Sequence, residues 1–302
     1  MEYRDVFGYR VSRLGLGTVQ LGLTYGVANK TGQPKQNEAL LILDEAKKLG
    51  ITLLDTARGY GTSEDVIGVF LNGKDSSEMI VSTKLPGVST LTLSIRETVD
   101  LSRSKLGLKK IPFLLLHRAD DLNENVLIQL MELKEAGYFD RLGVSIYTPK
   151  EAELALGHKE VDIIQVPFNV FDQRLKQNGF FTRAGDLGKT VIARSAYLQG
   201  LALMSEEVIP VALSAFIPFK RKLKGMCEDA KINEKEFALR YVLSQNEITS
   251  VIVGAESLKQ VRENATTAER GPLPQDICHL IEEAFVQVPV DIINPALWQL
   301  KK

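Results

Sequence analysis

The chain has 302 residues, of which 44% are hydrophobic, with 37 Lys and Arg against 38 Asp and Glu and a formal net charge of -1. That length permits a sizeable core, and the balanced charge gives no electrostatic pull toward nucleic acid or an anionic membrane. No run reaches the ~18 uninterrupted apolar residues of a membrane span, residues 1–5 lack a signal-peptide pattern, and the 2 cysteines are too few for a disulfide framework, so a reducing cytoplasm is the expected setting.

Residues 3–11, centred on Gly8, read as a hairpin suited to cap the bottom of a barrel. Residues 14–17 form the first strand and lead into a long loop, 18–36, rich in Gly, Thr and Asn. Residues 37–49 place Ala39, Ile42, Leu43, Ala46 and Leu49 on one helical face and stop at Gly50. Strands at 51–54, 79–83, 113–116 and 143–145 then alternate with helices at 63–71, 91–106, 122–136 and 149–156. The second half adds strands at 162–166, 190–193 and 250–253, helices at 234–243 and 258–267, a large insertion at 199–224, and a final helix at 275–287 before the tail with Trp298. The alternation predicts a closed α/β structure, a parallel (β/α)8 TIM barrel spanning 1–302 as one domain, with an N-terminal β-hairpin and an extra C-terminal helix.

In such a barrel the side chains at the C-terminal strand ends converge on one mouth, where active sites of that fold lie. Residues 51–54 run into Asp55, 79–83 into Lys84 and 113–116 into His117, while Tyr60 follows Asp55 in Asp55-Thr56-Ala57-Arg58-Gly59-Tyr60-Gly61. This set suits carbonyl reduction. Hydride addition at carbon leaves charge on oxygen, and a tyrosine with an ordinary pKa of about 10 gives up its proton reluctantly. A lysine ammonium beside the phenol lowers that barrier, and a carboxylate holds the lysine charged and oriented. Tyr60 is therefore the expected acid, Lys84 its tuner, Asp55 the anchor, and His117 the group that hydrogen-bonds and directs the substrate oxygen. Taken singly, each has a plainer reading: a packed turn tyrosine, a solvated lysine, a helix-capping aspartate.

The motif carrying this site resembles the aldo-keto reductases. Residues 54–68 are similar to that family's first signature, Ser82-Thr83-Lys84 to its lysine strand, and Leu114-Leu115-Leu116-His117-Arg118 to its histidine strand. Further similarity lies at Gly143-Val144-Ser145, Gln165-Val166-Pro167-Phe168-Asn169, Gln199-Gly200-Leu201 and from Val253-Gly254-Ala255 to Glu263-Asn264.

The resemblance implies an extended NADP(H) across the barrel mouth, with NAD(H) as the alternative; a Rossmann glycine turn is absent from the sequence. It implies that Ser145 and Gln165 bind the nicotinamide amide, that Ser195, Gln199 and Gly200 form the pyrophosphate loop, and that Gly17, Thr18, Asp55, Arg194 and Tyr197 also face the cofactor. Gly254, Ser257, Lys259, Gln260, Glu263 and Asn264 match the adenosine segment. Gly200 in isolation reads equally as an ordinary turn glycine.

Three departures from the family pattern stand out. Ile146 replaces an asparagine and removes one hydrogen bond to the nicotinamide. Arg194 replaces a stacking tyrosine; a guanidinium also stacks, and its charge disfavours the oxidised ring. Gly254 and Gln260 occupy positions where some members place Lys and Arg on the 2′-phosphate. Lys259 and Arg262 read as phosphate ligands or as solvated charges, and an inward Glu256 repels a phosphate.

The expected partner is a small carbonyl substrate, an aldehyde or ketone. The opening loop, 17–30, is similar to a bacterial subgroup associated with surface-sugar pathways, which adds keto-sugars to the candidates. No metal is expected, since His117, His158 and His279 are the only histidines and none has ligand spacing. A monomer or small homo-oligomer fits. Two rivals stay open: a barrel lyase forming a Schiff base at Lys84, and a non-catalytic subunit that senses the cofactor.

Overall fold

The computed structural model describes residues 1–73 and 76–298. Two short antiparallel strands come first, β1 (Tyr3–Val6) and β2 (Tyr9–Ser12), joined by Phe7 and Gly8, both at positive φ (54° and 83°). A two-residue loop of that shape matches the right-handed twist of its strands.

Eight further strands among the described residues close into a parallel barrel: β3 (Leu14–Gly17), β4 (Leu53–Asp55), β5 (Ile80–Leu85), β6 (Ile111–Leu116), β7 (Phe139–Ser145), β8 (Ile163–Pro167), β9 (Thr190–Arg194) and β10 (Ile248–Gly254). Closure runs β3 to β10 in chain order, with β10 pairing both β9 and β3. The expected barrel, hairpin and C-terminal helix are all present.

Strand alternation sorts the side chains into two cores. Leu53, Ile80, Phe113, Leu115, Ile163, Ile192 and Ile252 point inward and pack together, and the hairpin's Val11, with Val6, Phe7 and Tyr9 beside it, plugs the bottom of that cluster. The intervening residues, such as Leu54, Val81, Leu114, Val144 and Val191, face the helices in a larger outer core. The inward parity continues to the strand ends and delivers the polar side chains to the mouth. Register sets their neighbours: Gly254 pairs Gly17, Gly17 pairs Asp55, and Ser145 pairs Gln165.

The helices begin at local caps. Ser94 and Glu97 form a capping box, so that helix is Ile95–Leu106 and starts four residues later than the apolar pattern suggests. Asn123 caps Glu124–Glu135, Thr148 caps Pro149–Gly157, and Asn233 caps Glu234–Leu243. Two regions differ from the sequence expectation. Residues 168–189 hold two short helices, Arg174–Gln177 and Phe180–Asp186. The insertion at 199–224 is helical over much of its length, with short turns followed by the helix Ile217–Ala230. Its basic run hides the pattern: Leu223 and Cys227 are buried, and so is Lys220, which donates to Ala202 O at 2.7 Å and Glu234 Oε2 at 2.6 Å.

The final helix is Gln275–Ala284, followed by the turn Val290–Ile293. Trp298 donates from Nε1 to Ile292 O at 3.0 Å and packs against the outer core, so it anchors the tail. No helix among the described residues is long and apolar enough to cross a membrane.

Candidate active site

Asp55, Lys84 and Tyr60 are brought together by the way the chain leaves β4. Past Asp55 the backbone still follows β5, with Thr56 N donating to Ser82 O at 2.8 Å and Arg58 N to Lys84 O at 3.1 Å. It then turns at Tyr60, whose N–H donates to Ala57 O at 2.9 Å and whose carbonyl accepts from Ser63 N at 3.0 Å. Gly61 (φ 55°) completes the turn against the first loop, and a Cβ there would sit 2.3 Å from Gly22 O. Only glycine tolerates that conformation and that approach.

Lys84 is 1% exposed and Asp55 5%. Lys84 Nζ donates to Asp55 Oδ2 at 2.6 Å and to Thr56 O at 3.0 Å, and it lies over the Tyr60 ring, 5.2 Å from the centroid. Gln165, fully buried, donates from Nε2 to the other Asp55 oxygen at 2.7 Å, and Ser145 Oγ lies 3.4 Å from Gln165 Oε1. A chain of contacts thus links Ser145 to Lys84. Behind it, buried Glu64 accepts from Thr83 Oγ1 at 2.8 Å and pairs with Arg58 at 3.5 Å.

His117 extends β6, its N–H donating to Leu85 O at 3.0 Å, and its ring meets Tyr60 edge-on with centroids 5.8 Å apart. All four residues expected to do chemistry therefore meet at one mouth.

The electrostatics qualify one expectation. Burial, and after it the Asp55 charge, raises the Tyr60 phenol well above its ordinary pKa, with Arg194 pulling it down. Lys84 was expected to lower it. Its charge is instead taken up by Asp55 at contact distance, while burial lowers Lys84 itself and Asp55 opposes that shift. The Tyr60 phenol accordingly keeps its proton across neutral pH. A substrate alkoxide is a far stronger base than phenolate, so a phenol held in this state is still a competent donor.

His117 is pushed down to about 3 from 6.5, first by burial and then by the Lys84, Arg194 and Arg118 charges. Its imidazole is neutral and offers one N–H. The unfolded chain binds this proton first as pH falls, so the stability from neutral His117 is complete above 6.5 and is lost as pH drops through 6.5 toward about 3. Replacing His117 by Gln should flatten the fall of Tm between about pH 7 and about pH 4. Parallel Tm profiles for parent and variant would show that His117 contributes nothing to acid sensitivity.

From this mouth a cavity of about 510 Å³ runs toward the ends of β9 and β10. That volume lies in the usual range of small-molecule sites, roughly 300–1,000 Å³. Gly17, Thr18, Asp55, Tyr60, His117, Ser145, Gln165, Arg194, Ser195, Tyr197, Gln199, Gly200, Gly254, Gln260 and Asn264 all line it. Thr18 Oγ1 donates to Asp55 O at 2.9 Å, fixing the start of the first loop. Ser195, Gln199 and Gly200 have φ of 64°, 53° and 91°, and a Cβ on Gly200 would come 2.7 Å from Ala28 Cβ in that loop. Tyr197 donates to Asn264 Oδ1 at 3.1 Å. Gln20 Oε1 is buried on this cavity with no partner, while Gly200 lets its loop pack closely against Ala28 of the first loop. The orphaned Gln20 oxygen fits a bound polar ligand that donates a hydrogen bond, and a dinucleotide has such groups.

Other expected contacts lie elsewhere. Ser257 is exposed and caps the helix Leu258–Glu269 through Gln260 N at 3.3 Å. The Lys259 side chain is 85% exposed, 3.8 Å from Glu263. Glu263 accepts from Lys235 at 2.7 Å, and Arg262 donates to Glu45 at 2.6 Å. None of these four lines the cavity, whereas Glu256, Lys235 and Lys30 do. Ile146 is buried in the outer core, so its side chain belongs to packing. Arg194 donates to Ile146 O at 2.9 Å and Ser195 Oγ at 3.2 Å, with its guanidinium 4.2 Å from the Tyr147 ring centroid.

Sequence reasoning did not single out Tyr25 and Tyr147. Both line the cavity, and Tyr25 Oη accepts from Gln199 Nε2 at 2.8 Å. An aromatic ring inside a loop otherwise rich in Gly, Thr and Asn was the available signal for Tyr25. No group of three or more His, Cys, Asp and Glu is placed to hold a metal among the described residues.

The mouth of the parallel barrel thus holds a buried Lys-Asp pair, a tyrosine and a histidine beside one cavity. The sequence of residues 13–285 matches the aldo/keto reductase family model, and the chain belongs to that family. It is 28% identical to the L-galactose dehydrogenase of Arabidopsis thaliana, over 94% of this chain and 92% of that protein. It is 26% identical to the NADH-specific methylglyoxal reductase of Escherichia coli, over 84% and 89%. Among solved structures, the holo form of the aldo-keto reductase AKR11C1 from Bacillus halodurans superposes with a TM-score of 0.79 at 24% identity, covering 97% of this chain and 100% of that one.

Proposed function

We propose that the protein reduces an aldehyde or ketone to the alcohol at the expense of a reduced nicotinamide dinucleotide, with Tyr60 as general acid. The convergence of Tyr60, His117 and the Lys84–Asp55 pair beside one elongated cavity carries this reading. Ser145 and Gln165 would hold the nicotinamide end, Ser195, Gln199 and Gly200 the pyrophosphate, and Gly254, Gln260 and Asn264 the adenosine. When bound, the dinucleotide supplies the hydride. The chain supplies the rest: neutral His117 donates a hydrogen bond to the carbonyl oxygen, Tyr60 transfers its proton to that oxygen as charge develops, and Lys84 steadies the phenolate left behind.

The resemblance implies NADP(H) and small polar carbonyls, keto-sugars among them, in a single-domain cytoplasmic enzyme. The test is oxidation of NADH and NADPH by a panel of small aldehydes, ketones and keto-sugars. Absence of turnover across the panel, with cofactor binding intact, would favour the cofactor-sensing reading. A Schiff-base lyase needs a free amine, and Lys84 instead bonds Asp55 and Thr56. Borohydride trapping with a carbonyl compound, without dinucleotide, should leave Lys84 unmodified; an adduct there would support the lyase.

Arg194 gives a further expected result. Its charge lowers the pKa of Tyr60, His117 and Lys84, so it is felt throughout the mouth. A cation there disfavours the oxidised nicotinamide. Two charges about 4 Å apart interact by about 4 kcal/mol at an effective dielectric near 20, which solvent at the mouth should cut to the order of 1 kcal/mol. Arg194→Tyr should therefore narrow the gap between reduced and oxidised cofactor affinities several-fold. An unchanged ratio at matched salt would confine Arg194 to its contacts with Ile146 O and Tyr147.

A further inference from the structure

The far end of the cavity carries an acidic group where a second phosphate would need a basic one, an inference that rests on the dinucleotide reading above. Glu256 follows β10, is half-buried and lines the cavity. Its backbone N–H donates to Gln260 Oε1 at 2.7 Å, which ties the residue to the first turn of the helix Leu258–Glu269. Burial raises its carboxyl above the ordinary value, and a hydrogen bond from Thr31 opposes that rise.

Two of the basic side chains nearby are directed elsewhere, and the two lysines that line the cavity are paired or exposed. Lys259 is exposed outside the cavity, and Arg262 reaches outward to Glu45 on the helix Gln36–Lys48. Lys235 lines the cavity but pairs with Glu263 at 2.7 Å, and Lys30 is exposed on the first loop. Gly254 and Gln260 add no charge.

We infer that Glu256 accepts hydrogen bonds from the adenosine ribose hydroxyls and makes the protein selective for NADH over NADPH. A carboxylate only accepts, and a ribose 2′-hydroxyl donates, so the two are complementary. A 2′-phosphate has no proton to donate and places like charge beside Glu256. Of the two lysines lining the cavity, Lys235 is already paired with Glu263 and Lys30 is an exposed side chain on the first loop. The selectivity expected from such a juxtaposition is roughly tenfold or more.

The test is calorimetric titration of the full-length protein with NADH and with NADPH at matched ionic strength. NADH should bind at least about tenfold tighter. Glu256→Gln keeps the shape and removes the charge, and should shrink the gap; Glu256→Arg should invert it. Equal or tighter binding of NADPH by the parent, or a ratio unchanged in Glu256→Gln while both cofactors bind, overturns the inference and leaves the reductase reading standing. Binding of neither dinucleotide overturns both.

Discussion

Tyr60→Phe should lower turnover of a carbonyl substrate by about 10²–10⁴-fold while leaving dinucleotide affinity nearly unchanged. The substitution removes only the hydroxyl. The turn that presents the ring is held by backbone bonds and by the fit of Gly61 against Gly22, and neither involves the phenol oxygen. The His117 edge contact and the Lys84 contact with the ring face also survive. Because the buried phenol is protonated across neutral pH, the parent rate should not follow a Tyr60 titration there. Steady-state kinetics and equilibrium titration on both proteins read the two quantities separately. A variant as fast as the parent would leave Tyr60 as a packed turn residue and require another acid.

Lys84→Met should be the most damaging single change to stability. It strips Asp55, 5% exposed, of its cation and leaves only Gln165 donating to that carboxylate. Removing one member of a buried ion pair costs about 3–5 kcal/mol, because the remaining charge stays desolvated and uncompensated. For a chain of this size that is a fall in Tm of roughly 5–15 °C. Asp55→Asn combined with Lys84→Met removes both charges and should recover most of that loss without recovering turnover. If Lys84→Met alone melts with the parent, or the double variant melts no higher than Lys84→Met, the pair does not hold the barrel mouth together.

The barrel and its site residues were legible for different reasons. Strand and helix alternation is local, and it marked all eight barrel strands to within a few residues at either end. Strand starts were less legible: β7 begins at Phe139, four residues ahead of the recognisable Gly143-Val144-Ser145. The helix Ile217–Ala230 went unread because Lys220-Arg221-Lys222 looks solvated, whereas Lys220 is buried against Glu234. At the site, Asp55, Lys84 and His117 were legible from their type and their position at strand ends, since the inward parity of a strand predicts where its last side chain goes. Tyr60 was legible only from the motif that follows Asp55.

What the sequence determined by itself, then, is the order of elements, the closed parallel barrel they imply, and which polar residues arrive at its mouth. Periodicity and strand-end position are properties of a few consecutive residues. The tertiary structure decided who bonds to whom. Gln165 reaches Asp55 across 110 positions of sequence, Arg262 turns outward to Glu45, and Tyr25 meets Gln199 from the first loop. It also set the protonation of the site, raising Tyr60 and lowering His117 through burial. Desolvation and long-range pairing depend on how tightly the whole barrel packs around a group, and no window of residues carries that information.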